Sequence, residues 1–387
     1  PTHRHFALLS AEGGTRTRTE LPPQDFKSCA SANSATSAKA VFSFYFSKFA
    51  CFSQIIYYNC MKVSIFCGGT GKRFWPLSRR SSPKQLQQIF EGSSTLQLAY
   101  KRVQPFVEPK DILISTSFSF FDEIKEQLPD LPEENLIGEP AFRDLGPAVA
   151  LNAAIISKIA GEDEPFAIIW SDHIVEKKDL FRDMLKKGKT LLQDDEVKII
   201  FFGCSPRFAN ETIGWMALDR EVSGEGITVA GVTGWEYRPP KENAEEFLES
   251  GRHAWNLGYF VSTPRYILGQ FNKHQPGIYE GVKEIASYWG QDNYREVLER
   301  IYPTLERISF DNAVVENLDF GEGRALVADL GWTDIGALYA FKEHYVGTEE
   351  NLLEGDVIDK GSRDILVYNA TDKQFIATAG LEGVVVV

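Results

Sequence analysis

Positively charged side chains cluster in one short segment of an otherwise acidic chain. Residues 62–88 contain no aspartate or glutamate. A glycine turn follows the apolar run 62–67, which predicts a short buried strand. Glycine lets a backbone bring its N–H groups close to an anion, and lysine and arginine supply the charge that a triphosphate needs. The segment therefore predicts phosphate binding, with Gly68, Gly69, Gly71, Lys72, Arg73, Arg79, Arg80 and Lys84 as candidates. The alternative for Arg79 and Arg80 is a solvated surface.

Two common phosphate-binding motifs do not fit this segment. A P-loop requires GxxxxGK followed by serine or threonine, but Arg73 follows Gly71 and Lys72, and Phe66 stands where the first glycine is needed. The dinucleotide fingerprint GxGxxG fails because Phe74 occupies the place of its last glycine. A glycine turn alone is equally consistent with simple chain reversal, so the residues that follow it decide the interpretation.

The longer run GGTGKRFWPLSRRSSPKQ resembles the signature of the sugar-1-phosphate nucleotidylyltransferases, which reads GGxGxR, a Pro-Leu pair and then PK. Its WPLSR and PKQ forms are similar to those of the mannose-1-phosphate guanylyltransferases within that family. Seven matches in the family's order are far more specific than any single one, and the resemblance covers residues 61–387. The other six are EPAFRDLGPAVALNA (139–153), SDHIV (171–175), ETIGW (211–215), WNLGYF (255–260), SFDNAVVE (309–316) and DLGWTDIG (329–336).

The resemblance implies transfer of GMP from GTP to α-D-mannose 1-phosphate, which gives GDP-mannose and pyrophosphate. A phosphate nucleophile is already ionised near pH 7, so it can attack in line without a general base or a covalent enzyme intermediate. Two alternatives stay open: a nucleotidylyltransferase for another hexose 1-phosphate, and a non-catalytic paralogue that binds sugar nucleotides. A homo-oligomer is compatible with the sequence.

Two aspartates are candidate metal ligands. Asp172 directly follows the apolar run 166–171, so a strand there would place its carboxylate at the ligand edge of the sheet. The resemblance implies that Asp172 and Asp334 together hold Mg²⁺, an ion that prefers hard oxygen ligands. The alternative role for each is a helix cap. We expect His173 to be structural, since no second histidine stands at a metal-ligand spacing.

The resemblance also implies how the substrates are held. Arg73 would bind the β and γ phosphates and Lys84 the phosphates at the reacting centre, while the three glycines of the turn line the triphosphate. Glu139, Pro140 and Arg143 would lie beside the base, although EPAFRDLGPA departs from the usual EPxxRNTAPA at residues 144–146.

Sugar contacts are implied at four positions, which are Gly214, Tyr237, Arg238 and Asn256. Arg238 stands where the family's VEKP carries lysine and can replace it at the sugar phosphate. Tyr237 stands where a sugar-binding glutamate is expected. The identity of the sugar is the property that this departure affects most.

Apolar runs that predict strands alternate with segments of helical periodicity. This alternation predicts a doubly wound, mostly parallel, Rossmann-like α/β sheet, and the resemblance implies the nucleotidyltransferase (GT-A-like) type. Strands are predicted at 62–67, 111–116, 166–171 and 197–204, and helices at 95–106, 146–160 and 179–192. We expect a catalytic domain at 61–336 and a small β-containing C-terminal extension at 337–387. The chain stops on an apolar strand, so we expect a truncated C-terminus and no fused sugar isomerase domain.

Charge and composition exclude some classes of partner. The 387 residues carry a net charge of −13, which disfavours general nucleic-acid binding, and no long uncharged apolar run predicts a membrane span. Residues 1–60 lack periodicity and contain a Ser/Ala-rich tract, so we expect the native protein to start at Met61. The remaining cysteines, Cys67 and Cys204, lie in strand-like runs, which suits a reduced cytoplasmic protein.

Overall fold

The computed structural model describes residues 61–69, 74–75, 78, 83–88, 92–222, 226–335, 338–347, 349–369, 371 and 373–387. The predictions for Gly71, Lys72, Arg73, Arg79, Arg80 and residues 1–60 lie outside the described residues. All described residues belong to one compact unit.

A nine-stranded mixed sheet forms the centre of this unit. Its strands are β1 (Lys62–Phe66), β2 (Ile112–Ser117), β3 (Leu136–Glu139), β4 (Phe166–Trp170), β6 (Ile199–Cys204), β7 (Gly214–Leu218), β8 (Thr228–Tyr237), β9 (His253–Ser262) and β10 (Gly323–Val327). Their order is β3-β2-β1-β4-β9-β6-β10-β8-β7. A separate pair joins β5 (His173–Val175) to β11 (Trp332–Asp334).

The sheet has two halves of different character. Strands β3, β2, β1 and β4 are parallel, so their carboxyl ends share one edge. Beyond them, β9 runs antiparallel to both β4 and β6, and β10 returns parallel to β6. Strands β7 and β8 close this side as an antiparallel pair, and the first part of β9 also pairs with β7. The predicted parallel arrangement therefore holds for the first half, and the sheet as a whole is mixed.

Helices cover both faces of the sheet, as predicted for a doubly wound fold. They are α1 (Thr95–Val103), α2 (Phe121–Gln127), α3 (Leu145–Ala160), α4 (Lys178–Leu191), α5 (Lys241–Ser250), α6 (Pro264–His274), α7 (Pro276–Ser287), α8 (Tyr294–Ile301), α9 (Phe310–Ala313) and α10 (Leu338–Val346). The predicted cap of α1 is confirmed, because Ser94 and Gln97 each accept a hydrogen bond from the other's backbone N–H.

Two hydrophobic clusters sandwich the sheet. Along β1, Val63 and Ile65 point to the side of α1 and α4, and Phe66 points to the side of α3 and α7. This alternation is the period of two that a strand covered on both faces requires. Burial of this kind is the main source of stability and fixes where each strand ends.

Short parallel strands form the C-terminal region. They are β12 (Leu352–Glu354), β13 (Val357–Lys360), β14 (Leu366–Tyr368), β15 (Ile376–Ala379) and β16 (Val385–Val386). β12, β14 and β16 make one sheet, and β13 and β15 make another. The expected β-containing extension is present. Within the described ranges, no helix has the length and apolar character needed to cross a membrane.

Candidate active site

The turn after β1 is fixed to the neighbouring strands by hydrogen bonds. The Cys67 N–H donates to the Ser115 carbonyl at 2.8 Å, and the Ser171 hydroxyl donates to the Phe66 carbonyl at 2.8 Å. Gly69 has a φ of +114°, a conformation that other residues rarely adopt. The backbone at Gly68 and Gly69 is therefore held at the shared carboxyl edge of the parallel strands.

Lys84 lies beside this turn on a single helical turn, Lys84–Leu86. The side-chain amide of the next residue, Gln85, donates to the Gly68 carbonyl and ties the two segments together. The Lys84 ammonium lies 2.7 Å from Asp172 Oδ2 and 3.3 Å from the Ile335 carbonyl, and its side chain is only 12% exposed. The positive charge is thus fixed in place before any substrate binds.

Asp172 lies in the turn between β4 and β5 and does not cap a helix, since the next helix begins at Lys178. Burial alone would raise the pKa of its carboxyl, but the Lys84 ammonium, through its charge and its hydrogen bond, helps to lower the pKa below its usual value. The carboxylate is therefore ionised at neutral pH. An ionised carboxylate at a strand end is suited to binding a cation.

The pairing of β5 with β11 brings the second predicted metal ligand to the same place. Asp334 pairs directly with His173, the residue next to Asp172. The Asp334 carboxylate forms no hydrogen bond or ion pair with any described residue. No cluster of three metal-ligating side chains occurs in the part of the chain that the structure describes.

His173 forms hydrogen bonds with two buried polar side chains. Its Nδ1 lies 2.9 Å from the Tyr259 hydroxyl, and its carbonyl accepts a hydrogen bond of 3.2 Å from Arg102. Arg102 is 2% exposed and forms no ion pair with a described residue. Burial holds the pKa of His173 below its usual value, so the ring is neutral. Its Nε2 lies 3.9 Å from Asp172 Oδ1.

A cleft of about 520 Å³ opens beside these residues. Its wall is formed by β7, β8 and β9 with the loop residues next to β7 and β8, by the end of β4 and the β5–β11 pair, and by one residue each of α3 and α9. Its lining includes His173, Asp334 and Asp311 together with all four predicted sugar-binding residues, Gly214, Tyr237, Arg238 and Asn256.

Tyr237 and Arg238 stand at the mouth of this cleft. Tyr237 is 52% exposed and pairs across the strands with Gly214. The Arg238 guanidinium lies over the Tyr237 ring at 5.0 Å, and its Nε donates to the Thr212 carbonyl at 3.3 Å. Arg238 has a φ of +55°, a strained conformation for a residue with a side chain. The backbone thus turns the only cation among the described cleft-lining residues toward this opening.

Glu139, Pro140 and Arg143 lie at the same edge of the sheet but outside the cleft lining. Glu139 accepts hydrogen bonds from Tyr302 at 2.7 Å and Ser115 at 3.5 Å, and Arg143 donates to the Pro303 carbonyl. Burial raises the pKa of Glu139 to about 7 despite these two bonds. These side chains therefore tie the end of β3 to the segment after α8.

The structure groups Gly68, Gly69, Lys84 and Asp172 at the edge of the parallel strands, and Asp334 with the four sugar-binding candidates in the adjoining cleft. His173, expected to be structural, also lines the cleft, and its structural role stays a prediction. Asp311 was missed, since it received no role although its motif, SFDNAVVE, was recognised.

This chain is similar to known proteins over most of its length. The Nucleotidyl transferase family matches residues 62–351. A mannose-1-phosphate guanylyltransferase of Klebsiella pneumoniae is 29% identical over 329 residues, which cover 84% of this chain and 68% of that protein. Mannose-1-phosphate guanylyltransferase 2 of Escherichia coli O157:H7 is 26% identical over 339 residues, which cover 84% and 67%.

A solved structure shares the fold. It is described as mannose-1-phosphate geranyltransferase from Thermus thermophilus and superposes with a TM-score of 0.71. The two chains are 24% identical, and the match covers 84% of this chain and 90% of the other. This agreement confirms the predicted α/β fold.

Proposed function

The chain belongs to the nucleotidyl transferase family, and we propose that it transfers GMP from GTP to α-D-mannose 1-phosphate, giving GDP-mannose and pyrophosphate. The similarity to two mannose-1-phosphate guanylyltransferases supports this pair of substrates and agrees with the motifs. One observation carries the proposal: the Lys84–Asp172 pair, 2.7 Å apart, adjoins a cleft lined by Asp334 and Arg238.

The reaction joins two polyanions, so repulsion between phosphates is the main obstacle. In this proposal Lys84 exchanges its contact with Asp172 for a phosphate oxygen at the reacting centre, and Arg238 binds the sugar phosphate. The sugar-phosphate oxygen then attacks the α-phosphorus in line, the bond to the β-phosphate oxygen breaks, and pyrophosphate leaves. These cations lower the barrier because their positive charges already lie at the site, where they stabilise the charge that develops on the phosphate oxygens.

Asp172 and Asp334 fit the requirements of Mg²⁺. Asp172 is ionised, and the Asp334 carboxylate has no other described partner, so both can offer hard oxygen ligands. Magnesium generally keeps several positions for water and substrate phosphates, which matches a site with two protein ligands. When bound, the ion would neutralise phosphate charge and orient the reacting groups.

The nucleotide would lie along the edge of the parallel strands. We propose that the backbone of Gly68, Gly69 and Gly71 lines the triphosphate and that Arg73 binds its β and γ phosphates. Glu139, Pro140 and Arg143 would lie beside the base, with the segment at Tyr302 holding Glu139 in place.

The sugar would occupy the cleft, against Gly214 and Asn256. The Asn256 side-chain oxygen accepts a hydrogen bond of 2.9 Å from the Gly258 N–H, which leaves its amide group able to donate to the ligand. Tyr237 would cover the sugar at the mouth. Because Tyr237 replaces an expected glutamate, another hexose 1-phosphate is the second candidate substrate.

The proposal also covers the cellular location, the domain boundaries and the oligomeric state of the enzyme. We propose a cytoplasmic enzyme with a catalytic domain at 61–336 and an extension at 337–387, and a homo-oligomer is compatible with it. Buried, unpaired Cys67 and Cys204 support a reducing compartment.

A pyrophosphate-release screen tests the proposal. Four nucleoside triphosphates are crossed with the 1-phosphates of mannose, glucose, galactose and N-acetylglucosamine, and the products are identified by mass. We expect GTP with mannose 1-phosphate to have the highest kcat/KM. A different preferred sugar would support the second candidate, and no turnover of any pair would contradict catalysis.

A further inference from the structure

Asp311 is a carboxylate in the substrate cleft to which the proposed mechanism gives no task. It belongs to α9 and lines the cleft with Trp170 and Leu145. Its side chain forms no hydrogen bond or ion pair with another described residue. Its carboxylate accepts a hydrogen bond from its own backbone N–H, so a carboxylate, which can accept several hydrogen bonds, keeps further capacity for a ligand.

The backbone around Asp311 is firmly anchored. The preceding residue, Phe310, is 7% exposed and stacks on Phe260 with ring centres 5.0 Å apart. The Ser309 hydroxyl caps the turn by accepting a hydrogen bond of 3.1 Å from the Asn312 N–H. The carboxylate is thus carried on a rigid support, as precise ligand binding requires.

A departure from the family pattern contributes to this anchoring. Gly146, where the usual pattern has alanine, donates its N–H to the Ile308 carbonyl at 2.9 Å. A Cβ atom at position 146 would lie 2.8 Å from that carbonyl oxygen, closer than real contacts allow. The glycine therefore lets the segment that carries Asp311 pack directly against the start of α3.

Charge indicates which part of a ligand Asp311 faces. Arg238 is the only cation among the described residues of the cleft, so a phosphate is attracted to its side and repelled by a carboxylate. Burial raises the pKa of Asp311, and the nearby acids Glu316 and Asp144 raise it further, so additional negative charge beside it would be unfavourable. A neutral group that donates hydrogen bonds would be favourable. The hydroxyls of a hexose are such groups.

We propose that Asp311 binds the sugar hydroxyls of the hexose 1-phosphate and thereby supplies a carboxylate that the chain lacks at Tyr237. This inference rests on the proposed function, because it assumes that the cleft holds the sugar. A carboxylate can accept hydrogen bonds from two neighbouring hydroxyls, and a site built this way discriminates against ligands that lack one of them.

The test compares Asp311→Asn with a matched control, Glu316→Gln. Glu316 is exposed, lies near Asp311 and accepts a hydrogen bond from Asn312, so its substitution removes one charge from the same segment outside the cleft. For Asp311→Asn we expect the KM of the preferred sugar phosphate to rise roughly tenfold, with the KM of the nucleotide changed less than about twofold. Glu316→Gln should leave both values unchanged.

Deoxy analogues of the sugar phosphate locate the contact. With the analogue that lacks the bound hydroxyl, wild type and Asp311→Asn should have equal KM values, whereas the other analogues should preserve the tenfold difference. An increase confined to the nucleotide KM would place Asp311 at the ribose and overturn the proposal, as would unchanged KM values or the same penalty with every analogue. If Asp311→Asn does not fold, the same analogues in Asp311→Ser provide the comparison.

The outcome is independent of the sugar's identity. The variant is measured with whichever sugar phosphate wild type prefers, so failure of the mannose assignment appears in wild type and failure of the Asp311 assignment appears only in the variant.

Discussion

The edge of the parallel strands and the cleft of the mixed half hold charge in different ways. At the edge, the Lys84 side chain is 12% exposed and bound both to Asp172 and to a backbone carbonyl. In the cleft, Arg238 lies over the half-exposed ring of Tyr237, and the Asp311 side chain forms no hydrogen bond or ion pair with another described residue. The edge has fixed charges that suit the phosphates common to every substrate of this reaction type. The cleft has available side chains that suit the choice of sugar.

From this division we expect substitutions of the proposed metal ligands to lower kcat, and substitutions of the other cleft residues to change which sugar phosphate is preferred. The largest effect is expected at the metal ligands. Asp172→Asn or Asp334→Asn should each lower kcat by about 10³, in line with the loss of ~4 kcal/mol of transition-state stabilisation. Steady-state kinetics with saturating Mg²⁺ measures the change.

Two controls accompany this prediction. Thermal melting should show that both variants remain folded, and affinity for Mn²⁺, used as a probe of the metal, should fall in both. Near-normal turnover in either variant would remove that aspartate from the metal site.

The second largest effect expected is a pH dependence of stability that comes from the edge. Glu139, at the edge, has its pKa raised from ~4.3 to about 7, so the folded state binds its proton more tightly than the unfolded state does. Its contribution to stability is complete below about pH 4 and is lost as the pH rises through 7, a change of about 3 kcal/mol. Glu139→Gln removes this dependence.

Melting curves between pH 5 and pH 8 test the sign of this effect. The Tm of Glu139→Gln minus that of wild type should increase with pH. A difference that is constant across this range would mean that Glu139 is ionised throughout.

The sequence indicated where single strands end, but it did not indicate which distant segments pack together. Asp172 could be placed because a strand followed by a polar residue has few geometric outcomes, and the strand 166–170 formed as expected. Asp311 and His173 could not be assigned to the cleft from the sequence. The position of Asp311 depends on how the segment before α9 packs against α3, and that of His173 on how β5 pairs with β11. Such contacts join segments far apart in the sequence, which local patterns do not encode. The antiparallel strands of the mixed half escaped prediction for a similar reason, since among their pairs only β7 and β8 are consecutive along the chain.

Tyr237 tests whether the mouth of the cleft selects the sugar. A phenol offers one oxygen and an aromatic face, whereas a carboxylate can bind two hydroxyls, so Tyr237→Glu should improve discrimination between C2 epimers. We expect the ratio of kcat/KM for mannose 1-phosphate to that for glucose 1-phosphate to increase roughly tenfold, about 1.4 kcal/mol. An unchanged ratio would show that Tyr237 does not face the sugar.

The smallest expected effect concerns the hydrogen bond between Tyr259 and His173. Tyr259→Phe removes the hydroxyl that contacts the His173 ring and should lower the free energy of unfolding by about 1 kcal/mol. Tyr100→Phe is the matched control, because the buried Tyr100 hydroxyl has no described hydrogen-bond partner and its loss should cost nothing. Equal effects of the two substitutions in chemical denaturation would show that the contact with His173 is not stabilising.

The most direct measurement of the division between the two regions is the sugar preference of Asp172→Asn. Its kcat/KM is determined with GTP and either mannose 1-phosphate or glucose 1-phosphate, beside wild type. Because the metal acts on phosphates that both sugars share, both values should fall by the same factor and their ratio should stay as in wild type. A ratio that shifts tenfold or more would contradict the account, since the edge would then select the sugar as well as carry out the chemistry.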